Sequence, residues 1–383
     1  MNQDIIFMPL GGGQRVGASC YYLRIGQCNI ILDAGIGKEN GMEFNPNFYS
    51  LVTSPFIQSM NQINHIFISH AHMDHIGYLL KLMMQSSYSN VYMTEITKVL
   101  AELQLYDSVF VKNKIKDEDM RLAVKNLLEK VAVVTYMQTI DFEEYKVTFY
   151  PAGHIPGAMM MLFTVGKRKI LYTGDYSFDS TALTSGCIFP DDSDIDIAII
   201  CGLHAKHPEY TRKADALFKT VSYVLHSVET SGQSVMCHIP QLSKGVEFLK
   251  ALNNRNTKRI PIYLDNSIMK MVTKMEQLSV SILKPDNKVI GDRWPREPHI
   301  YLTSNMNSNG VGFYHDVKID FSLHEDFSEI KRFIKRINPK QAILVHCGKE
   351  NSPFDNTIEQ EMMLDGECKT QFIFAEEKIM YKL

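Results

Sequence analysis

Four side chains able to bind a metal ion fall within six residues, in His70-Ala71-His72-Met73-Asp74-His75. They follow the apolar run Ile66-Phe67-Ile68, which places them where a strand gives way to a loop. Neutral imidazole and carboxylate suit zinc. One short loop cannot comfortably wrap all four donors around a single ion. Two neighbouring ions, about 3.5–4 Å apart, resolve that geometry and form a clamp for phosphate chemistry. The bland alternative is a polar loop with coincidental histidines, and it loses ground as further donors follow. His154 stands in Pro151-Ala152-Gly153-His154-Ile155-Pro156-Gly157, and Asp175 in Tyr172-Thr173-Gly174-Asp175-Tyr176. Each comes just after an expected strand, where a side chain can project from a sheet edge. His324 follows in Asp320-Phe321-Ser322-Leu323-His324-Glu325-Asp326, and His346 in Leu344-Val345-His346-Cys347-Gly348. A lone histidine such as His346 is ordinarily structural, but at the end of an apolar strand, in a chain with this cluster, ligation is the stronger reading.

The elements that must position these residues change character along the chain. Strands are expected at 5–10, 21–25, 29–32 and 65–68, and helical periodicity at 77–85 and 94–105. A charged stretch at 112–130 reads as a surface helix with an apolar stripe. Strands return at 146–150, 159–165 and 169–173. That order fits a sheet-rich sandwich layered with helices. From about residue 198 strand and helix alternate, with strands at 195–200, 234–239, 261–264 and 299–303 and helices at 214–230, 245–253 and 267–277. This rhythm implies a small parallel sheet. The last segment reads as a helix at 327–337 and strands at 341–345, 370–375 and 378–383. The second unit therefore looks inserted into the first. The expected division is 1–197 and 320–383 for the core and 198–319 for the insertion.

Composition bounds the rest. The chain has 383 residues, 45% of them hydrophobic and 22% charged, so a packed globular protein is expected. Its net charge of −3 gives no global nucleic-acid signature, although a local basic groove with bound metal ions would still hold phosphates. The seven cysteines include no Cys-x-x-Cys spacing and their number is odd, which argues against a disulfide framework. The N-terminus lacks a basic run before its apolar stretch, and the stretch ends at Gly11-Gly12-Gly13. Neither a signal peptide nor a membrane span is expected, and the cytoplasm is the expected location.

The His-x-His-x-Asp-His run, the Gly-His-x-x-Gly and the Thr-Gly-Asp, in this order, resemble the metallo-β-lactamase superfamily. The opening Pro9-Leu10-Gly11-Gly12-Gly13-Gln14-Arg15-Val16-Gly17-Ala18-Ser19-Cys20 and Ile31-Leu32-Asp33-Ala34-Gly35 narrow the likeness to its β-CASP branch, which includes ribonuclease J and the cleavage-and-polyadenylation endonuclease. Ile239-Pro240 with Gly245 and Glu247, and Leu302-Thr303-Ser304-Asn305-Met306, are similar to two further segments of that branch. The resemblance implies an α/β fold: an αββα sandwich with an inserted, shortened β-CASP-like cap. It implies two zinc ions, the first held by His70, His72 and His154, the second by Asp74, His75 and His346, with Asp175 bridging. It further implies a ribonuclease in which a hydroxide between the ions attacks phosphorus, His324 protonates the leaving oxygen, and Asp74 and Asp175 take part in catalysis. Asp33 would fix a ligand imidazole. RNA is the implied substrate, with single-stranded DNA as another polymer it could take, and a homodimer or a nuclease-complex subunit are the implied assemblies.

Three positions depart from the family pattern. Cys201 stands where an acidic residue orients the general-acid histidine, which leaves that role to Glu325 or Glu209 or weakens the acid step. The residues after the last ligand read Cys347-Gly348-Lys349-Glu350 rather than Gly-Glu. The passage from Gly310 to His324 is so direct that a strand-helix unit is expected to be missing. Two other classes compete: a small-molecule ester or thioester hydrolase, for which a cap with His324 has no purpose, and a weakened scaffold subunit, which Cys201 favours and the full donor set opposes. Lys331, Arg332, Lys335 and Arg336 lie on the helix after His324 and read either as a phosphate-binding face or as a solvated one. His204 and His207 read as surface residues rather than accessory ligands. Met83-Met84 and Met159-Met160-Met161 read as core packing, and Gly11–Gly13 as a turn near the site.

Overall fold

The computed structural model describes residues 4–113, 118–190, 194–207, 213–240, 242, 244–290, 294–305, 314–319, 321–348, 358–364 and 369–383. Glu209, Met306, Gly310, Asp320, Lys349, Glu350 and Cys368 lie outside them, as does part of the 112–130 stretch. The chain packs as two units. The first takes residues 1–178, 186–210 and 325–383, and the second takes 179–185 and 211–324. The packing boundaries thus fall at 210 and 324, beside the 198 and 319 expected. The reason is the strand Ile197–Cys201, which completes a sheet of the first unit between Arg168–Tyr172 and Gln341–Val345.

Two seven-stranded sheets make the first unit. One runs, in spatial order, Tyr381–Lys382, Ile5–Gly11, Cys20–Ile25, Cys28–Leu32, His65–Phe67, Asn90–Thr94 and Ala132–Val134. The other runs Gln371–Phe374, Gln341–Val345, Ile197–Cys201, Arg168–Tyr172, Met159–Val165, Lys146–Pro151 and Thr139–Asp141. Their inner faces share one core, with Phe7, Tyr21, Leu23 and Phe67 from the first sheet and Phe149, Met161, Phe163 and Ile199 from the second. The outer face of the second sheet packs on the helices Phe327–Ile337 and Ile358–Leu364 through Ile330, Phe333, Ile334 and Met362. The run Met159-Met160-Met161 shows why the sandwich reads as continuous apolar sequence. All three are fully buried, Met159 and Met161 facing the inner core and Met160 the outer one. Met84, expected in a core with Met83, is 66% exposed; only Met83 points inward on the Leu79–Gln85 helix.

The second unit has a five-stranded sheet, Asn287–Val289, Ile262–Leu264, Ile300–Thr303, Ser234–His238 and Tyr314–Lys318, and every pairing in it is parallel. Of the strand-helix unit expected to be missing between Gly310 and His324, the strand is present as Tyr314–Lys318, and no helix stands between it and His324 among the described residues. Its Tyr-His-Asp-Val-Lys sequence has little apolar content, as suits an edge strand paired, among the described residues, with Ser234–His238. The connecting helices are Lys213–Ser231, Lys244–Arg255 and Asn266–Gln277. No helix among the described residues is long and apolar enough to cross a membrane.

Close backbone approach at Gly35 joins two loops of the first unit. Gly35 donates its N–H to Ser19 O at 2.9 Å, and Ala34 donates to His75 O at 2.8 Å. A methyl group on Gly35 would lie 1.7 Å from the carbonyl oxygen of Asp74 and 2.8 Å from the His75 nitrogen. Gly35→Ala must therefore push the 73–75 turn away. Overpacking of this kind costs about 1–3 kcal/mol. Denaturant unfolding of the variant should show that loss, with weakened metal uptake, and an unshifted midpoint would show that the loops are not in contact.

Candidate metal centre

The donors lie at the ends of strands from both sheets of the first unit. His70, His72, Asp74 and His75 follow the strand His65–Phe67, with Met73–Ile76 forming one helical turn. His154 follows Lys146–Pro151, Asp175 follows Arg168–Tyr172, and His346 follows Gln341–Val345. Parallel pairing carries these ends to the same edge: Tyr172 registers with Ile199, and Cys201 with Val345. Gly174 has φ +53° and sits against the Ser69 side chain, so a side chain there would meet it at 2.6 Å. That approach swings Asp175 toward the histidines of the neighbouring sheet.

Two groups of donors result. His70, His72, His154 and Asp175 have one donor atom each within 4.8 Å of one another, and so do Asp74, His75 and His346. In the first group His70 Nε2 is 3.0 Å from His72 Nδ1, His154 Nε2 is 3.3 Å from the same atom, and Asp175 Oδ2 is 3.6 Å from His70 Nε2 and 3.8 Å from His154 Nε2. A tetrahedron with zinc–ligand bonds near 2.0–2.1 Å has edges of about 3.3 Å, so these four atoms have the spacing of a shell around one ion. Asp175 Oδ2 is also 3.4 Å from His75 Nε2, and His346 Nε2 is 3.7 Å from Asp74 Oδ2. One carboxylate oxygen thus faces both groups.

The imidazoles are aimed by bonds on their far sides. His75 Nδ1 lies 2.8 Å from Asp33 Oδ2, His70 Nδ1 lies 3.0 Å from Ser69 Oγ, and His346 Nδ1 lies 2.9 Å from Ser19 Oγ. Asp33 therefore occupies the position expected of it, against a ring of the cluster. Ser69 in turn donates its hydroxyl and its N–H to Asp33, at 2.7 and 2.6 Å, and Tyr172 Oη donates at 2.5 Å. With the Nδ1 sides engaged, the Nε2 lone pairs of His70, His75 and His346 face the cluster. The buried Nε2 of His75 and of His72 have no hydrogen-bond partner among the described residues.

Charge at the site fits a cation. Burial pushes His70 well below the ordinary histidine range, and burial likewise lowers His72. Both are neutral donors, as metal binding requires. Burial alone would lower His75 too, but Asp175 and Asp33 outweigh it and draw its pKa well up. The field at His75 Nε2 is one that holds positive charge, as a proton or a metal ion. The chemistry of the donor set, three imidazoles and a carboxylate in one group and two imidazoles with a carboxylate in the other, fits zinc.

The remaining expected residues have differing surroundings. His324 is the last residue of the second unit, and its N–H is donated to Ser322 Oγ at 3.1 Å. Cys201 is buried; burial first and then the Asp175 carboxylate beside it raise its thiol well above the usual range. It is a neutral neighbour of Asp175. His204 is only 6% exposed, so it is not the surface residue expected. On the helix Phe327–Ile337, Arg332 covers the ring of Phe178 at 4.4 Å, Arg336 covers that of Phe189 at 5.4 Å, and Lys331 reaches Glu361 at 3.3 Å. These side chains pack on their own unit. The glycine turn proves part of the site: Gly12 O accepts the His346 N–H at 2.6 Å, and Gly13 O accepts that of Cys347 at 3.0 Å. His346 has φ +56° and Asp33 φ +60°, left-handed conformations that are rare for such residues and are held here by the loops around them. Ser19, Ser69 and Tyr172 escaped sequence reasoning as ring-orienting residues, although each is adjacent to, or within three residues of, a motif residue.

Residues 22–197 match the family described as metallo-beta-lactamase superfamily domain, and residues 316–361 match the Zn-dependent metallo-hydrolase RNA specificity domain. The chain is 29% identical over 328 residues to cleavage and polyadenylation specificity factor subunit 3-I of Arabidopsis thaliana, covering 81% of this chain and 45% of that one. It is 30% identical over 288 residues to subunit 3 of the same factor from Dictyostelium discoideum, covering 70% and 35%. It is 27% identical over 325 residues to RNase aCSPSF2 of Saccharolobus solfataricus, covering 81% and 63%. The chain thus spans less than half the length of the first two relatives. Among solved structures, a protein of unknown function from Enterococcus faecalis V583 superposes with a TM-score of 0.67 at 13% identity, over 99% of this chain and 100% of that one, a likeness of fold.

The Asp33 carboxylate should matter more to the metal centre than its distance suggests. Asp33→Asn replaces an acceptor by a group that must turn a donor toward Ser69, His75 or Tyr172. Loss of such support typically costs 10–100-fold in metal affinity. Zinc titration against a competing chelator should show that drop, and Tyr172→Phe, which removes one donor of the four, a smaller one. Equal affinities in wild type and Asp33→Asn would mean that the carboxylate does not orient the rings.

Proposed function

Because residues 22–197 match the metallo-beta-lactamase superfamily domain, we propose that the chain is a two-zinc phosphodiesterase that cleaves RNA. The observation that carries the reading is Asp175, whose Oδ2 lies within 3.4–3.8 Å of His75, His70 and His154 and so faces both donor groups at once. The match to an RNA specificity domain over 316–361, and relatives named as cleavage and polyadenylation factor subunits and an RNase, support RNA over a small ester.

On this reading His70, His72 and His154 would hold one zinc ion and Asp74, His75 and His346 the other, with Asp175 available to both groups. Bound zinc supplies a nucleophile at neutral pH and neutralises charge developing on phosphorus. The chain's own residues do the rest. Asp33 and Ser69 keep His75 and His70 in the tautomer that offers Nε2. Ser19 does the same for His346. Asp74, the more exposed of the carboxylates at 30%, is placed to take the proton of the attacking water. His324 carries the proton given to the leaving oxygen. Cys201, protonated beside Asp175, contributes no charge to that step.

Metal analysis and cleavage of end-labelled RNA and DNA test the proposal together. The purified protein should hold close to two zinc ions per chain, cleave RNA, and lose that activity on chelation. His324→Ala should keep both ions while cleavage falls by about 10²–10⁴-fold, the usual worth of general acid catalysis. A fully metallated His324→Ala variant with undiminished cleavage would remove the histidine from the mechanism. A wild-type protein that holds two ions and cuts neither polymer would leave a scaffold subunit as the better account.

A further inference from the structure

The second unit differs from the whole chain in charge. Residues 179–185 and 211–324 carry 15 Lys and Arg against 11 Asp and Glu, a net charge of +4 in a chain whose total is −3. The five-stranded sheet of this unit has unlike faces. The connections from Ser234–His238 to Ile262–Leu264 and on to Asn287–Val289 run the same way across it. Right-handed crossovers therefore put the helices Lys244–Arg255 and Asn266–Gln277 on one face, and Lys213–Ser231 packs beside the first of them. Val235, Ile262, Ile300 and Leu302 share a face and are fully buried, as helix cover requires. The return connection, from Asn287–Val289 to Ile300–Thr303, runs the other way and so crosses the opposite face. Its described residues form no helix. On that face Lys288, Tyr263, Tyr301, Met236 and Asp316 stand in register, one from each strand. Trp294, on the returning loop, meets Tyr301 edge-on with 5.4 Å between ring centres, and 47% of it is exposed. Lys288 and Arg296 are exposed as well. The acids nearby are Glu297, which accepts from the Tyr263 hydroxyl at 3.4 Å, and Asp316, which lies 3.4 Å from His238 Nε2.

We propose that this patch binds a single strand of RNA, with a base stacked on Trp294 and backbone phosphates against Lys288 and Arg296. Every base has an aromatic face, so an indole half in water takes a strand of any sequence, and the cations hold its backbone. A duplex hides those faces in its own stack, which restricts the patch to unpaired strands. The apolar surface of a protein partner would also cover an indole, but the positive charge of the unit favours a polyanion. Tyr301 braces the indole from its edge, so stacking on it orders little that was mobile before. The choice of RNA over DNA rests on the ribonuclease reading. The stacking site does not, because it uses none of the metal donors.

Trp294 is the only tryptophan in the chain, so its fluorescence reports on this patch alone. The full chain, stripped of metal with a chelator so that no strand is cut, should show saturable quenching of that emission by a short oligouridylate and none by a duplex of the same length. Anisotropy of a dye-labelled oligouridylate should show Trp294→Ala binding about tenfold or more weakly, with Trp294→Phe recovering most of the loss. Each phosphate contact contributes about 0.7 to the slope of log affinity against log salt for a single strand. Lys288→Gln and Arg296→Gln, both at exposed positions, should each reduce the slope by that amount. No saturable binding, or binding that leaves the emission unchanged and is insensitive to Trp294→Ala, would overturn the site. Self-association that quenches the emission and disappears in Trp294→Ala would assign the patch to a second copy of the chain and overturn it equally. Cleavage by metal-loaded protein is read separately. A chain that quenches on oligouridylate yet cuts no RNA keeps this site and loses the ribonuclease reading, whereas one that cuts RNA without any change at Trp294 does the reverse.

Discussion

The carboxylate of Asp33 takes four hydrogen bonds in a fully buried position, from the N–H and the hydroxyl of Ser69, from Tyr172 and from His75. A buried charge is tolerable only when it is satisfied in this way. The donors come from two parts of the sandwich, Ser69 and His75 from the histidine loop and Tyr172 from the other sheet. Ser69 begins the histidine loop, Tyr172 ends a strand of the opposite sheet, and Asp33 itself ends Cys28–Leu32. The single group therefore ties both sheets together at the edge where the donor side chains emerge. It also fixes one ring directly and another through Ser69. A rigid support of this kind is what a metal centre needs, since a few tenths of an ångström at each donor decide whether the shell closes.

The same edge shows where the backbone yields. Asp33 and His346 both hold left-handed φ values, and both are followed or braced by glycine-rich loops: Gly35 lies against the 73–75 turn, and the carbonyl of Gly12 takes the N–H of His346. Strain of this sort persists only where the surroundings over-determine it. Here the determinants are long-range. Gly12 is more than three hundred residues from His346 in sequence, and the bond forms only after the first and last strands have joined their sheets. The donor set is thus complete only with the C-terminal portion in place in the first unit.

The donor residues were legible because metal binding demands particular residue types at strand ends, and His70 to His75, His154, Asp175 and His346 announce themselves by type. Long apolar strands such as Met159–Val165 were legible for a related reason: burial on both faces leaves Thr164 as the one polar position. What escaped was whatever depends on neighbours. Tyr314–Lys318 carries no apolar alternation because an edge strand needs none. Asn90–Thr94 is absent from the expected strands, since its five residues offer only a short alternation around Val91 and Met93. Ser19, Ser69 and Tyr172 are ordinary residues given roles by what they touch. Arg332 and Arg336 read in one dimension as a phosphate face or a solvated one, and only the structure shows them to be exposed side chains lying over Phe178 and Phe189.

Electrostatics links these observations to the choice of substrate. The chain carries a net charge of −3, and on the helix after His324 Lys331, Arg332 and Arg336 are engaged with Glu361 or with rings. The metal centre itself gathers three carboxylates, Asp33, Asp74 and Asp175, at one edge. Without cations that edge would repel a polyanion, and in a buried setting the repulsion is weakly screened. Two divalent ions would outweigh the three carboxylates by one positive charge and reverse the sign of the field. Attraction of a phosphodiester and activation of the nucleophile would then have one cause. A protein built this way would need no broadly basic surface to act on nucleic acid.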